Sequence, residues 1–141
     1  GCYNNIAEIR EAQTLFKGIH GIHISYDWTI RAEKAIARKN ENLAIDAQLD
    51  IQGVLDADWS VFLMTDKDYV YRGTFAELGA SIVRDIKNGA LNKTIVVGSS
   101  DAYATDCCFW HHPAIIHFET VGEARDYIAE QMNEQSLKKK I

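Results

Sequence analysis

Residues 59–98, WSVFLMTDKDYVYRGTFAELGASIVRDIKNGALNKTIVVG, decide the fold. Trp59-Ser60-Val61-Phe62-Leu63-Met64 is a nearly continuous apolar run, which reads as a strand buried on both faces. Thr65 to Gly73 is polar and reads as a loop. Thr74 to Asn88 carries helical spacing, with Thr74 as its expected cap and Gly89 closing it. Thr94-Ile95-Val96-Val97-Gly98 is a second buried strand. Strand, loop, helix and strand in this order make a parallel unit with a right-handed crossover.

Working outward, the pattern continues in both directions. Apolar Ile6, Ile9, Leu15, Phe16 and Ile19 predict a helix over residues 6–20, with Asn4 and Asn5 as caps. Ile22-His23-Ile24-Ser25-Tyr26 predicts a short strand. Arg31 to Asn40 reads as a loop with an exposed helical turn, and Glu41 to Ala57 as a helix. Ser99 to Asp106 is a loop. Ala114-Ile115-Ile116-His117-Phe118 reads as a last strand, and Val121 to about Gln135 as a closing helix with a frayed tail. Helices alternating with short apolar strands imply a doubly wound α/β domain over residues 1–141, its parallel sheet covered on both faces. Such a fold ordinarily opens with a strand, yet here a helix comes first. Either that strand is missing from the chain or the first element is unusual. Ligands bind such folds beyond the carboxyl ends of the strands.

Composition narrows the function classes. The 141 residues are 47% hydrophobic and 25% charged, which fits one globular domain. The net charge of −5, with basic residues clustered only at Lys138-Lys139-Lys140, argues against a nucleic-acid polymer as partner. No apolar run reaches the roughly 18 residues of a membrane span. Three cysteines, Cys2 and the adjacent Cys107 and Cys108, fit a reducing cytoplasm better than a disulfide framework. Cys107-Cys108-Phe109-Trp110-His111-His112 does not match the usual zinc spacings, so no metal is expected. No phosphate-cradling glycine motif occurs, and no cofactor is implied.

Two stretches carry candidate chemistry. Arg72-Gly73-Thr74-Phe75-Ala76-Glu77-Leu78-Gly79-Ala80 opens a helix after a buried strand. Glu77 in its first turn would be kept ionised by the helix dipole, as a nucleophile or as ordinary dipole complementation. In Asp46-Ala47-Gln48-Leu49-Asp50, the two carboxylates lie four apart on one helical face, either in use or simply solvated.

The ordered set of Asp50, Val54-Leu55-Asp56-Ala57-Asp58, a buried strand and Gly73-Thr74-Phe75-Ala76-Glu77-Leu78-Gly79 resembles the nucleoside 2-deoxyribosyltransferase family. That family includes the related 2′-deoxynucleoside 5′-phosphate N-hydrolases. Tyr26-Asp27-Trp28-Thr29 and Phe109-Trp110-His111-His112-Pro113 agree with it, so the likeness spans nearly the whole chain. The resemblance implies a flavodoxin-like, five-stranded parallel sheet. It implies Glu77 as nucleophile at C1′ of a 2′-deoxyribose, expelling the base and forming a glycosyl ester that a second base or water resolves. Asp50 would lie near the sugar and orient Glu77 or the sugar hydroxyls. Asp66 and Asp68 in the loop after the strand are candidate acids for the base. Tyr3, Tyr26 and Trp28 would stack on the base or wall the sugar, and Asn5 would hydrogen-bond the sugar. Gly73 and Thr74, in the turn that presents Glu77, are expected to bind the substrate. The opening Gly1-Cys2-Tyr3-Asn4-Asn5 lacks the hydroxyl and basic residues of the 5′-phosphate hydrolases, which favours a nucleoside. The implied partners are a deoxynucleoside or deoxynucleotide and a free nucleobase, in a homodimer or higher homo-oligomer whose neighbouring tails complete the site. Hydrolysis of the same bond, and a non-catalytic nucleotide-binding module, are the rival readings.

Overall fold

The computed structural model describes residues 5–37 and 43–139. Its elements run α1 (Ile6–Lys17), α2 (Trp28–Ala37), α3 (Leu43–Asp56), β1 (Ser60–Leu63), α4 (Arg72–Asn88), β2 (Thr94–Val97), β3 (Ile115–Phe118) and α5 (Val121–Lys138). The described strands form one parallel sheet in the order β1-β2-β3, pairing Ser60 with Thr94 and Thr94 with Ile115. The protein is therefore α/β with a small parallel sheet of three strands. All four residues of the central β2 are buried, which is why that strand reads as an uninterrupted β-branched run.

Strand alternation divides the core in two. Phe62, Met64 and Val96 face Leu78 and Ile82 of α4, together with Trp110 and Ala114. Leu63, Ile95 and Val97 face Ile9, Ala12 and Phe16 of α1 and Ala124 and Ile128 of α5. Helices thus cover both faces. The closing helix is fixed at its start by a capping box. The Thr120 hydroxyl accepts the Glu123 amide at 3.2 Å, and the Glu123 carboxylate accepts the Thr120 amide at 2.9 Å.

A buried polar knot joins the lower ends of the elements. The guanidinium of Arg84 pairs with Asp85 at 2.6 Å and donates to the Ser60 hydroxyl at 2.7 Å and the Val54 carbonyl at 2.9 Å. Asp85 also accepts the Thr94 hydroxyl at 2.7 Å. One arginine therefore ties α4 to the end of α3 and to the starts of β1 and β2.

Several expectations need correction. Ile22–Tyr26, expected as a strand, carries no sheet partner among the described residues. Where Arg31 to Asn40 was expected as a loop with an exposed helical turn, helix α2 runs continuously from Trp28 to Ala37. The hydroxyl and amide of Thr29 both bond the Asp27 carboxylate, at 2.6 and 3.1 Å, and Asp27 thereby starts that helix. Thr74 does not cap α4. The cap is Tyr71, in the left-handed region at φ 51° and almost fully buried, its hydroxyl accepting the Asp66 amide at 2.9 Å. Glu77 accordingly sits in the second turn of α4, beyond the reach of the first-turn amides. The loop after β2 holds two 3-10 turns, Tyr103–Asp106 and Cys108–His111. Helix α5 continues to Lys138 instead of fraying at Gln135.

Candidate functional site

The site is best built upward from Arg84. Its bond to Ser60 fixes that level of α4 at the beginning of β1. Glu77 lies seven residues earlier, about 10 Å higher at 1.5 Å per residue, and so near the carboxyl end of the strand. Asp50 lies one turn before Val54, whose carbonyl the same arginine holds. The two carboxylates, on adjacent helices, line one cavity of about 710 Å³ together with Tyr26 and Trp28.

The electrostatics follow from this placement. Burial pushes the Glu77 carboxyl above its ordinary value, and the nearby Asp50 charge pushes the same way. Glu77 stands in the second turn of α4, where burial works against the ionised form. Burial also raises Asp50, while the neighbouring Tyr26 hydroxyl acts in the opposite direction; that hydroxyl is itself buried without a hydrogen-bond partner. Tyr26 itself is pushed up to about 12, first by burial and then by the Asp50 charge. Arg31 grips Asp46, not Asp50, through Nε at 2.9 Å and Nη2 at 2.6 Å. The pair four apart on α3 is therefore divided: Asp46 is neutralised by Arg31, and Asp50 is turned toward Tyr26 and the cavity.

Four of the expected site residues, Glu77, Asp50, Tyr26 and Trp28, are brought together on this cavity. Others are not among its lining. Asp66 is exposed and accepts the Asp68 amide at 3.0 Å, closing its own loop. Gly73 is exposed on the outer side of α4. The Thr74 side chain is buried in the packing of α4, its hydroxyl without a hydrogen-bond partner. Asn5 occupies the N-cap position of α1 without a side-chain capping bond. Tyr3 lies outside the described residues. Among the described residues no cluster of His, Cys, Asp or Glu is disposed to hold a metal ion.

Gly53 was missed as a site residue. A Cβ there would lie 2.7 Å from Cδ1 and 2.9 Å from Cβ and Cγ of Tyr26. The ring of Tyr26 lies directly on the α3 backbone at this glycine, one turn below Asp50. A glycine in a helix interior costs roughly 0.5–1 kcal/mol against alanine, and that cost was the available signal of a close approach. Scans of protein-family models, curated proteins and solved structures each return no match to this chain. No helix among the described residues is long and apolar enough to cross a membrane.

Proposed function

We propose that this chain cleaves the N-glycosidic bond of a 2′-deoxynucleoside and transfers the sugar to another base, as a nucleoside 2-deoxyribosyltransferase on a flavodoxin-like frame. The observation that carries the reading is the convergence of Glu77 and Asp50, from two helices, on one aromatic-walled cavity. Two carboxyl groups in a desolvated site do not both ionise freely. One can attack the anomeric carbon while a proton held by the pair is available to the departing base. Glu77, nearest the carboxyl end of β1, takes the nucleophile's part. Asp50, beside Tyr26 on the same cavity wall, orients it and the sugar hydroxyls. Trp28 and Tyr26 exclude water from the oxocarbenium-like state.

The expected setting is the cytoplasm and the expected assembly a homo-oligomer. In support of the latter, the strongly apolar helix α3 carries no buried residue and exposes Leu43, Ile45 and Leu49. The test is incubation with a deoxynucleoside, with and without a second free base, followed by chromatography of the products. Base exchange is expected. Release of deoxyribose alone would favour the hydrolase, and ligand binding without turnover would favour a non-catalytic module.

A further inference from the structure

Helix α3 presents Asp50 to the cavity, yet none of its residues is fully buried, so core packing gives the helix little hold. Two arginines hold it instead. Buried Arg84 donates to the Val54 carbonyl at 2.9 Å, one turn after Asp50. Arg31 of α2 grips Asp46, one turn before Asp50. Its Nε and Nη2 converge on Oδ1 of that carboxylate, at 2.9 and 2.6 Å. Asp50 thus stands midway between two anchors.

The Arg31 anchor also reaches the other wall of the site. Trp28 lies three residues before Arg31, on the same side of α2. Helix α2 is in turn fastened to α1, where Arg10 donates to the Thr29 hydroxyl at 3.2 Å and pairs with Glu33 at 2.7 Å. Among the described residues no other side-chain hydrogen bond joins α2 to α3. The pair lies at the rim, with Arg31 40% exposed and Asp46 16%, and pairs so placed add little to overall stability. Their charges act locally. Asp46 opposes ionisation of Asp50, and Arg31 favours it. The other groups facing Asp50 are Glu77 from α4 and the Tyr26 hydroxyl.

We propose that Arg31 is a positioning residue for the site: by clamping Asp46 it sets α3 against α2, holds Asp50 and Trp28 across one cavity, and offsets the Asp46 charge beside Asp50. Arg31 is not part of the cavity lining and acts only through Asp46 and α2. Two N–H groups fixed in one plane set the direction of the bond, which the single ammonium of a lysine does not. A misplacement of about 1 Å at a reacting group costs about 100-fold in rate, so a bond weak in stability governs turnover. The inference rests on the proposed reading of Asp50 as a site residue.

The test begins without substrate, by NMR. In Arg31→Met and in Asp46→Asn alike, the amides of residues 47–50 should exchange at least about 10-fold faster than in the parent, while those of residues 54–56, beside the Arg84 anchor, change less than about twofold. The Asp50 carboxyl should move in opposite directions in the two variants. It should titrate higher in Arg31→Met, where the Asp46 charge is unopposed, and lower in Asp46→Asn, where only the Arg31 charge remains. In turnover, Arg31→Met should lower kcat about 10- to 100-fold with little change in KM, and Arg31→Lys should recover only part of it. Unchanged exchange at residues 47–50, an equal loss of protection along all of α3, or an Asp50 titration that shifts the same way in both variants would each overturn the proposal. The expected exchange and titration in a parent without turnover would uphold the clamp and count against the proposed activity alone.

Discussion

Replacing Gly53 with alanine tests how Tyr26 and Asp50 are held. The new methyl group would fall 2.7 Å from Tyr26 Cδ1. Carbon atoms in contact prefer about 3.5–4.0 Å, so the ring must retreat by about 1 Å or rotate away. Overpacking of this kind costs about 1–3 kcal/mol. The gain in helix propensity on leaving glycine returns about 0.5–1 kcal/mol. The net result is a destabilisation of about 0–2.5 kcal/mol, read as a fall in melting temperature of up to about 9 °C for a chain of this size. The second readout is local. With the ring displaced from Asp50, the Tyr26 hydroxyl should titrate closer to the ordinary tyrosine value than to about 12, followed by NMR of ring-labelled tyrosine. A variant that melts higher than the parent and leaves the Tyr26 titration unchanged would refute the reasoning.

Three further outcomes follow from the same structure. Burial holds the Glu77 carboxyl above 4.5, so the folded state binds that proton more tightly than the unfolded one; stability from this group is whole at lower pH and is lost as pH rises through the folded value. Glu77→Gln should therefore melt higher than the parent at pH 7.5 and lose that advantage below about pH 4.5, while abolishing turnover; thermal melts across pH check it. Arg84→Met strands the buried Asp85 and should cost about 3–5 kcal/mol by denaturant unfolding, much of it recovered when Asp85→Leu is added. Thr120→Ala breaks the capping box and should cost about 1 kcal/mol, a fall of about 3 °C, without altering ligand binding.

The stretch from Trp59 to Gly98 was legible because both of its strands are buried on two faces, and burial of that kind writes an unbroken apolar run. The amphipathic helices α1 and α4 were legible for a similar reason. Within residues 31–40 helix α2 runs further than the one exposed turn expected, because Arg31 and Glu33, charges that suggest a solvated loop, pair with Asp46 of α3 and Arg10 of α1. What starts that helix is the Asp27 side chain, a local bond with no periodic trace. Thr74 matched a capping residue in type, yet the chain enters α4 one residue before Arg72, through the left-handed Tyr71, a conformation that a bulky side chain does not advertise. The pairing of Glu77 with Asp50 was suggested only by order along the chain. The contact between Tyr26 and Gly53 depends on how α3 packs, and only a lone helical glycine hinted at it.

The central claim is that Glu77 forms a bond to the anomeric carbon of a deoxyribose. Its most direct test is intact-protein mass spectrometry after mixing with a 2′-fluoro-arabino nucleoside, whose fluorine slows release of the sugar, followed by peptide mapping. The account predicts one added sugar per chain, carried on Glu77 and absent from Glu77→Gln. An unmodified protein, or a sugar mapped to any other residue, would contradict it.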